Sequence, residues 1–316
     1  MTELVTNKIN PNVIPHLHIW GWDVAIYLFL GGIAGGLLII SAAMILLQKG
    51  GIFSPEEQTA EYSRQIQVAS LLAPVLLGVG MFFLFLDLEF KMHVWRFYTN
   101  FNLTSPMSWG SWALLIFFPF SVFQAIVVCQ FSQIPRFLFL ASWESTLKPY
   151  LNKIAAVNVH VGMGIGVYTG ILLSTYYARP LWSNTVLGFV FLLSGLSSAA
   201  ALLLLIAPSR EKQLYSKIDM YIIAAEGFAT TLFILGGITG TENMKNAMLY
   251  LIAGPYAPWF WILFVLAGLI IPLVLETLEA IGKIRFSPFV PLLVLIGSIS
   301  LRFIIVYAGQ EIPTFS

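Results

Sequence analysis

A carboxyl group and a phenol stand four residues apart near the start of the chain, at Asp23 and Tyr27, just after Trp20 and Trp22. Residues four apart lie on the same face of a helix. An acid at the edge of a membrane span is costly unless it is solvated, paired or used. A carboxylate beside a phenol can accept a proton from a hydroxyl group of a bound ligand, and the phenol can orient that hydroxyl. A helix cap with a tyrosine facing lipid headgroups explains the same pattern equally well.

The same spacing recurs in a later apolar stretch, at His160, Gly164 and Tyr168. A buried tyrosine hydroxyl needs a hydrogen-bond partner. We expect Tyr168 at the same depth in the membrane as Asp23 and Tyr27, where the three could serve one site. The alternative is an ordinary hydrogen bond between two helices.

A polar and aromatic connection covers residues 87–112 and holds His93, Ser105, Trp109 and Trp112. Tryptophan is enriched at the membrane–water interface, because its ring is apolar and its N–H is polar. The connection is therefore either an interfacial loop with anchoring tryptophans, or a docking surface and the wall of a site.

Three charged residues fall within apolar stretches, at Glu226, Glu276 and Arg302. An arginine at the centre of a span costs roughly 2.5–3.5 kcal/mol on insertion scales, so it is normally paired or faces water. One interpretation is a proton path, with Glu276 at its inner mouth and Glu226 further in. The other is a structural pair between Arg302 and one acid.

Composition points to a membrane protein. Of the 316 residues, 58% are hydrophobic and 10% are charged, whereas a soluble protein carries roughly 25% charged residues. The net charge of +1 and the lack of a basic run argue against a nucleic-acid partner. The N-terminal stretch has no apolar segment, so we expect no cleavable signal peptide.

Redox cofactors held by this protein are not expected. The single cysteine, Cys129, excludes internal disulfides and cysteine-bound clusters. A membrane haem usually needs two histidines on facing spans, and only His160 of the four histidines falls within a span. We therefore predict no haem, iron–sulfur cluster or metal in this protein.

The apolar runs predict an all-α, polytopic helical bundle, because about 20 apolar residues cross a bilayer as a helix. Two overlapping glycine pairs in the first span, Gly31 with Gly35 and Gly32 with Gly36, let other helices approach closely. Short connections predict a single membrane domain over residues 1–316. The eight predicted spans are 24–47, 66–88, 108–131, 154–177, 185–207, 218–238, 258–281 and 289–309.

Loop charge predicts the orientation. The connections after the odd-numbered spans carry ten lysines and arginines, and the opposite side carries five. Basic residues concentrate on the cytoplasmic side, so both termini are predicted to lie outside.

With these residues together, the chain resembles the NrfD/PsrC family of membrane subunits of polysulfide-reductase-like and nitrite-reductase-associated respiratory complexes. The resemblance covers essentially the whole chain, and its most specific motif is TSPMSWG. It implies an eight- or nine-helix protein of the prokaryotic inner membrane that exchanges electrons with quinone without haem. It also implies a ferredoxin-like four-cluster iron–sulfur partner, which connects to a catalytic subunit of molybdopterin, multihaem or hydrogenase type. The motifs lie at 20–36, 103–112, 168–182 and 301–310.

The resemblance assigns residues one by one. Tyr168 matches the family's quinone-site tyrosine, and His93 with Trp95 matches an H-x-W motif. The family's histidine and asparagine on the first span are replaced here by Tyr27 and Val24. We expect Asp23 to substitute for the lost polar partner.

We therefore predict a haem-free subunit of a respiratory oxidoreductase complex that exchanges electrons between quinone, expected to be menaquinone, and the iron–sulfur partner near the outer face. The direction of electron flow stays open. The alternatives are a proton-translocating subunit or a purely anchoring one without a quinone site. Asp23, Tyr27 and Tyr168 are the predicted catalytic residues. The predicted quinone contacts are Asp23, Tyr27, His93, Ser105, Trp109, Trp112 and Tyr168, and the predicted proton path is His160, Glu226, Glu276 and Arg302.

Overall fold

The all-α architecture is confirmed by the computed structural model, which describes residues 20–49, 64–88, 90–130, 139–176, 179–207, 209–284 and 287–311. Within these ranges the protein forms helices and connecting turns, without strands. Eight of the described helices are long and apolar enough to cross a bilayer. Residues 1–19 lie outside the described ranges.

Within the described ranges the helical elements are eleven α-helices, one π-helical segment and two 3₁₀ turns, Lys91–His93 and Lys148–Tyr150. Helix α4 begins at Pro106, where proline's missing N–H is harmless, and ends before Gln130, whose φ of 50° is left-handed. The elements in sequence order are α1 Trp22–Lys49, α2 Arg64–Asp87, α3 Arg96–Thr99, α4 Pro106–Cys129, α5 Ala141–Leu147, α6 Leu151–Ser174, α7 Leu187–Ile206, α8 Ser209–Ile238, α9 Glu242–Ile252, the π segment Trp259–Ile270, α10 Ile271–Ala280 and α11 Phe289–Glu311.

The spans form two units of four. In the first unit, α1, α2, α4 and α6 pack in a ring, and in the second, α7, α8, α11 and the seventh span (the π segment with α10) do the same. Helix α1 packs against α6, α7 and α11 as well as α2, so it joins the two units. The residues of α1 therefore reach both halves of the protein.

The glycines of α1 permit these close crossings. A Cβ added at Gly36 would lie 2.5 Å from the carbonyl oxygen of Gly195 on α7, and one at Gly35 would lie 3.0 Å from that of Gly162 on α6. No side chain fits in these gaps, so Gly35 and Gly36 allow close contact with two different helices.

The start of α1 and the end of α11 lie together, and we name this the terminal end of the bundle. The Trp20 N–H donates to Gln310 Oε1 over 2.8 Å, and the Gln310 amide donates back to the Trp20 carbonyl over 3.0 Å. The other end, where α7 finishes and α8 begins, is the opposite end. The predicted outside location of the terminal end and the single domain over residues 1–316 remain predictions.

Candidate functional site

Two carboxyl groups meet at the terminal end. Asp23 lies in the first turn of α1 and Asp87 is the last residue of α2. Because these helices are antiparallel neighbours, the two side chains come within hydrogen-bonding distance of each other, and Lys91 lies near Asp87. Two carboxyl groups can hydrogen-bond only when they share a proton, so this pair can both hold and release one.

A group of phenols lies deeper on the same side. The Tyr27 side chain is buried with its ring packed against Gly80 of α2. Its neighbours include Tyr98 on α3 and Tyr168 on α6, and Tyr176 lies close to Tyr168. Burial raises the pKa of Tyr98 and of Tyr176. Those two phenols therefore stay protonated at neutral pH and can donate hydrogen bonds.

The position of Tyr168 depends on a glycine. Its phenolic oxygen lies within hydrogen-bonding reach of the Gly110 main chain, and any Cβ at Gly110 would overlap the ring. Gly110 stands in the first turns of α4, within the TSPMSWG motif. That motif therefore includes a flat surface on which the tyrosine rests.

Serines hold the connection before α4 over this site. Ser111 Oγ donates to the Phe97 carbonyl over 2.7 Å, and Ser108 Oγ donates to the Asn100 carbonyl over 3.2 Å. Both serines are buried, so α3 and the turn that follows it are tied to α4. Tyr98 is thereby held near Tyr27.

The other predicted quinone contacts lie outside this group. Trp109 is 45% exposed and Trp112 is 37% exposed. Trp109 Nε1 donates to the Leu103 carbonyl, and the ring of Trp112 packs on that of Phe101. His93 is exposed in a 3₁₀ turn, and Ser105 precedes α4 without a side-chain capping bond. The two tryptophans thus face outward, as membrane anchors do.

An aromatic and polar clasp, which sequence reasoning missed, closes the terminal end. Trp20 stacks on Trp182 with ring centroids 5.1 Å apart and meets Tyr176 edge to face. Arg179 donates to the Gln310 carbonyl over 2.6 Å. The clasp ties α1, α6 and α11 together beside the tyrosines.

Arg302 is fully buried where α1, α7 and α11 meet. Its guanidinium donates to the hydroxyls of Ser194 and Ser298, and over 3.0 Å to the Phe191 carbonyl. Glu226 on α8 lies near the charge and is hydrogen-bonded to Ser194. The expected partner of Arg302 is therefore Glu226, with a serine shared between them.

The buried acids continue toward the opposite end. Asp219 lies on the same face of α8 as Glu226 and accepts a hydrogen bond from Ser197 over 3.0 Å. The carboxyls of Asp219 and Glu276 lie within hydrogen-bonding reach of each other. Asp219 Oδ2 and both oxygens of Glu276 have no other donor among the described residues. This second acid pair can therefore bind a proton between its two carboxyls.

His160 does not join this series of acids. Its side chain is exposed on the surface of α6, and Nδ1 lies 2.8 Å from the Ala156 carbonyl oxygen of its own helix. Helix α6 packs mainly on α1, α4 and α7, whereas the acids lie on α8 and α10. His160 is therefore not part of the proposed proton path.

Comparison with known proteins identifies the family. A family model described as "Polysulphide reductase, NrfD" matches residues 7–314. The protein belongs to this family. One of the chains of the polysulfide reductase of Wolinella succinogenes is 32% identical over 92% of this sequence and 94% of its own length. Protein NrfD of Escherichia coli is 26% identical over 92% and 95%. One of the subunits of the tetrathionate reductase of Salmonella typhimurium is 24% identical over 76% and 65%.

Membership of the NrfD family and eight apolar helices make this a multi-pass protein of the prokaryotic inner membrane. In this NrfD-family protein the four motifs converge at the terminal end. They supply Trp20 and Asp23, Gly110, Tyr168 and Gln310, which come from distant parts of the sequence. No group of three or more metal-ligating side chains occurs among the described residues.

Proposed function

We propose that this NrfD-family protein exchanges electrons between membrane quinone and an iron–sulfur partner subunit, at the terminal end of the bundle. The observation that carries the proposal is the proton-sharing pair of Asp23 and Asp87 beside the buried phenols of Tyr27 and Tyr168. A quinone ring needs apolar walls and one polar group at each oxygen. Acid and phenol groups supply those polar contacts.

The chemistry of quinol oxidation fits these groups. Both O–H bonds of quinol break, two electrons pass one at a time to the partner's cluster, and two protons are released. Asp23 and Asp87 share one proton and can therefore accept another, while the remaining proton leaves through water. Tyr27 and Tyr168 orient the ring oxygens. Quinone reduction uses the same groups in the reverse order.

In this structure Tyr168 lies against Gly110 and near Tyr27. The groove beside Tyr256 and Trp259 and the groove beside Gly227 and Trp261 lie in the second unit. We therefore propose that the ring binds between the tyrosines as Tyr168 turns away from Gly110. The connection before α4, which is tethered to that helix, must then move.

The relatives support a complex with other subunits, because two of them are named as parts of a polysulfide reductase and a tetrathionate reductase. We propose that an iron–sulfur subunit docks on the connection between α2 and α4. That connection exposes large apolar side chains at the terminal end of the bundle, and exposed apolar patches of this kind mark interaction surfaces. These side chains are Phe90, Met92, Trp95, Phe101 and Leu103.

The test uses the intact complex purified with Tyr168→Phe or Asp23→Asn in this protein. Each substitution removes one polar group and keeps the shape of the side chain. We expect normal assembly and a loss of quinol turnover of about 10²–10⁴-fold, the usual cost of removing a positioned acid–base group. The control is Tyr221→Phe, because Tyr221 is 71% exposed on α8.

Equal activity in Tyr168→Phe, Asp23→Asn and the control would overturn the proposal. Electron flow that is also insensitive to a quinone-site inhibitor would then favour the purely anchoring function.

A second candidate function, proton conduction from the opposite end, is favoured by the buried series Glu276, Asp219, Glu226 and Arg302. Its test is proton uptake by proteoliposomes during quinol turnover. We expect Glu226→Gln to abolish uptake and leave quinol oxidation measurable. The exposed Glu242, changed to Gln, serves as the control. Unchanged uptake in Glu226→Gln would assign the acids a structural role.

A further inference from the structure

A groove of about 500 Å³ opens between α8 and the seventh span. The residues that line it include Gly227, Thr230, Ile234, Trp261 and Val265. A Cβ added at Gly227 would meet nothing within 4 Å, so the groove is open beside this residue. None of the side chains that line it carries a charge.

The hydroxyl of Thr230 distinguishes this groove from an ordinary apolar gap. Threonines in membrane helices usually donate to the carbonyl four residues earlier, as Thr231, Thr239 and Thr277 do here. Thr230 is only 4% exposed, and its Oγ1 has no partner among the described residues. A buried hydroxyl without a hydrogen-bond partner is unfavourable. A ligand with a hydrogen-bond acceptor would give the Thr230 hydroxyl that partner.

The depth of Thr230 restricts the ligand. It precedes the end of α8 at Ile238 by roughly 12 Å of helix, at 1.5 Å per residue, and the hydrocarbon core is about 30 Å thick. Charged phospholipid headgroups stay near the surface, and acyl chains have no acceptor. An uncharged ring with a carbonyl oxygen can lie at this depth in the hydrocarbon core and can accept a hydrogen bond from the Thr230 hydroxyl.

We propose that this groove is a second quinone-binding site, in which a ring carbonyl accepts a hydrogen bond from Thr230. Thr230 lies one helical turn beyond Glu226, on the same face of α8. Glu226 itself belongs to the network with Ser194 and Arg302. The proposal goes beyond the terminal-end site and does not depend on it, since the two lie in different four-helix units.

The test is photolabelling of the purified complex with an azido-benzoquinone that carries a short isoprenoid tail, followed by peptide mapping. We expect label on α8 or the π segment that an unlabelled short-tailed quinone displaces and excess phospholipid does not. In Thr230→Val the displacing concentration should rise about fivefold, the effect of one hydrogen bond. Gly227→Leu, which fills the open space, should abolish this label.

Thr231→Val is the matched control, because its hydroxyl is already bonded within the helix. Thr230→Val loses no hydrogen bond made by the described residues, so its thermal stability should match that of the parent protein. Equal labelling of Thr230→Val and Thr231→Val, or displacement by phospholipid, overturns the proposal. Tyr168→Phe should leave the labelling of this groove unchanged. The experiment can therefore contradict the proposal for the terminal-end site without contradicting the proposal for the groove, and the reverse.

Discussion

Asp87 is the residue whose role depends most on its partner. Its carboxyl lies within hydrogen-bonding distance of Asp23, and groups that act as a unit are strongly non-additive when removed together. We expect Asp87→Asn to lower quinol turnover about 10²–10⁴-fold and the double change with Asp23→Asn to cost little more than the worse single change. Turnover of assembled complexes tests this. Independent, multiplicative effects would show that the two acids do not work as a pair.

Arg302 is buried, and its loss should mainly affect stability. Its guanidinium bonds Ser194, Ser298 and the Phe191 carbonyl, and removing one partner of a buried charge pair costs roughly 3–5 kcal/mol. We expect Arg302→Met to lower the unfolding free energy by about this amount. Arg96→Met, at an exposed position, should change it by about 0.5 kcal/mol or less. Similar effects of the two substitutions in unfolding measurements would contradict this account.

At the scale of elements, α4 positions α6 through Gly110. Gly110→Ala must displace the Tyr168 ring, and a displacement of about 1 Å at a catalytic group can cost 10²-fold in rate. We expect a loss of quinol turnover of about that size in assembled complex. Gly164→Ala is the control on α6, because its Cβ would meet nothing within 4 Å. If both alanine variants keep full turnover, Tyr168 does not need this contact.

The connection before α4 is a second element with a testable role. If the iron–sulfur subunit docks there, short crosslinkers in the intact complex should join it to Lys91. Lys153, exposed near the opposite end, should give no such product. Crosslinks from the partner to Lys153 rather than Lys91 would move the docking surface to the other face.

The orientation of the whole molecule follows from the ten to five distribution of basic residues. Basic loops stay in the cytoplasm, so the terminal end should face outward. A periplasm-active reporter fused after Ser316 should be active, and a cytoplasm-active one should be silent. The reverse pattern would place the acid pair and the tyrosines on the inner side.

Local chemistry was sufficient for the broad features of this protein. Runs of apolar residues predict spans because each span must satisfy its own backbone hydrogen bonds in lipid. The eight spans and the membrane location could be predicted from these runs, and the family from the sequence motifs. Asp23 and Tyr27 could be grouped because helical spacing places them on one face. Tyr168 could be set at their level because its depth follows from its position along a span.

Tertiary structure decided which of these groups meet. Asp87, Gly110 and Asp219 acquire their neighbours from helices far away in sequence, and hydropathy carries no information on how a helix is rotated against another. The predicted sixth span began at residue 218, which left Asp219 at its edge, whereas α8 begins at Ser209 and buries it. For the same reason His160 has the spacing of a site residue and yet faces away from the acids. Rotation and pairing of helices are set by packing of the whole bundle, which no local pattern contains.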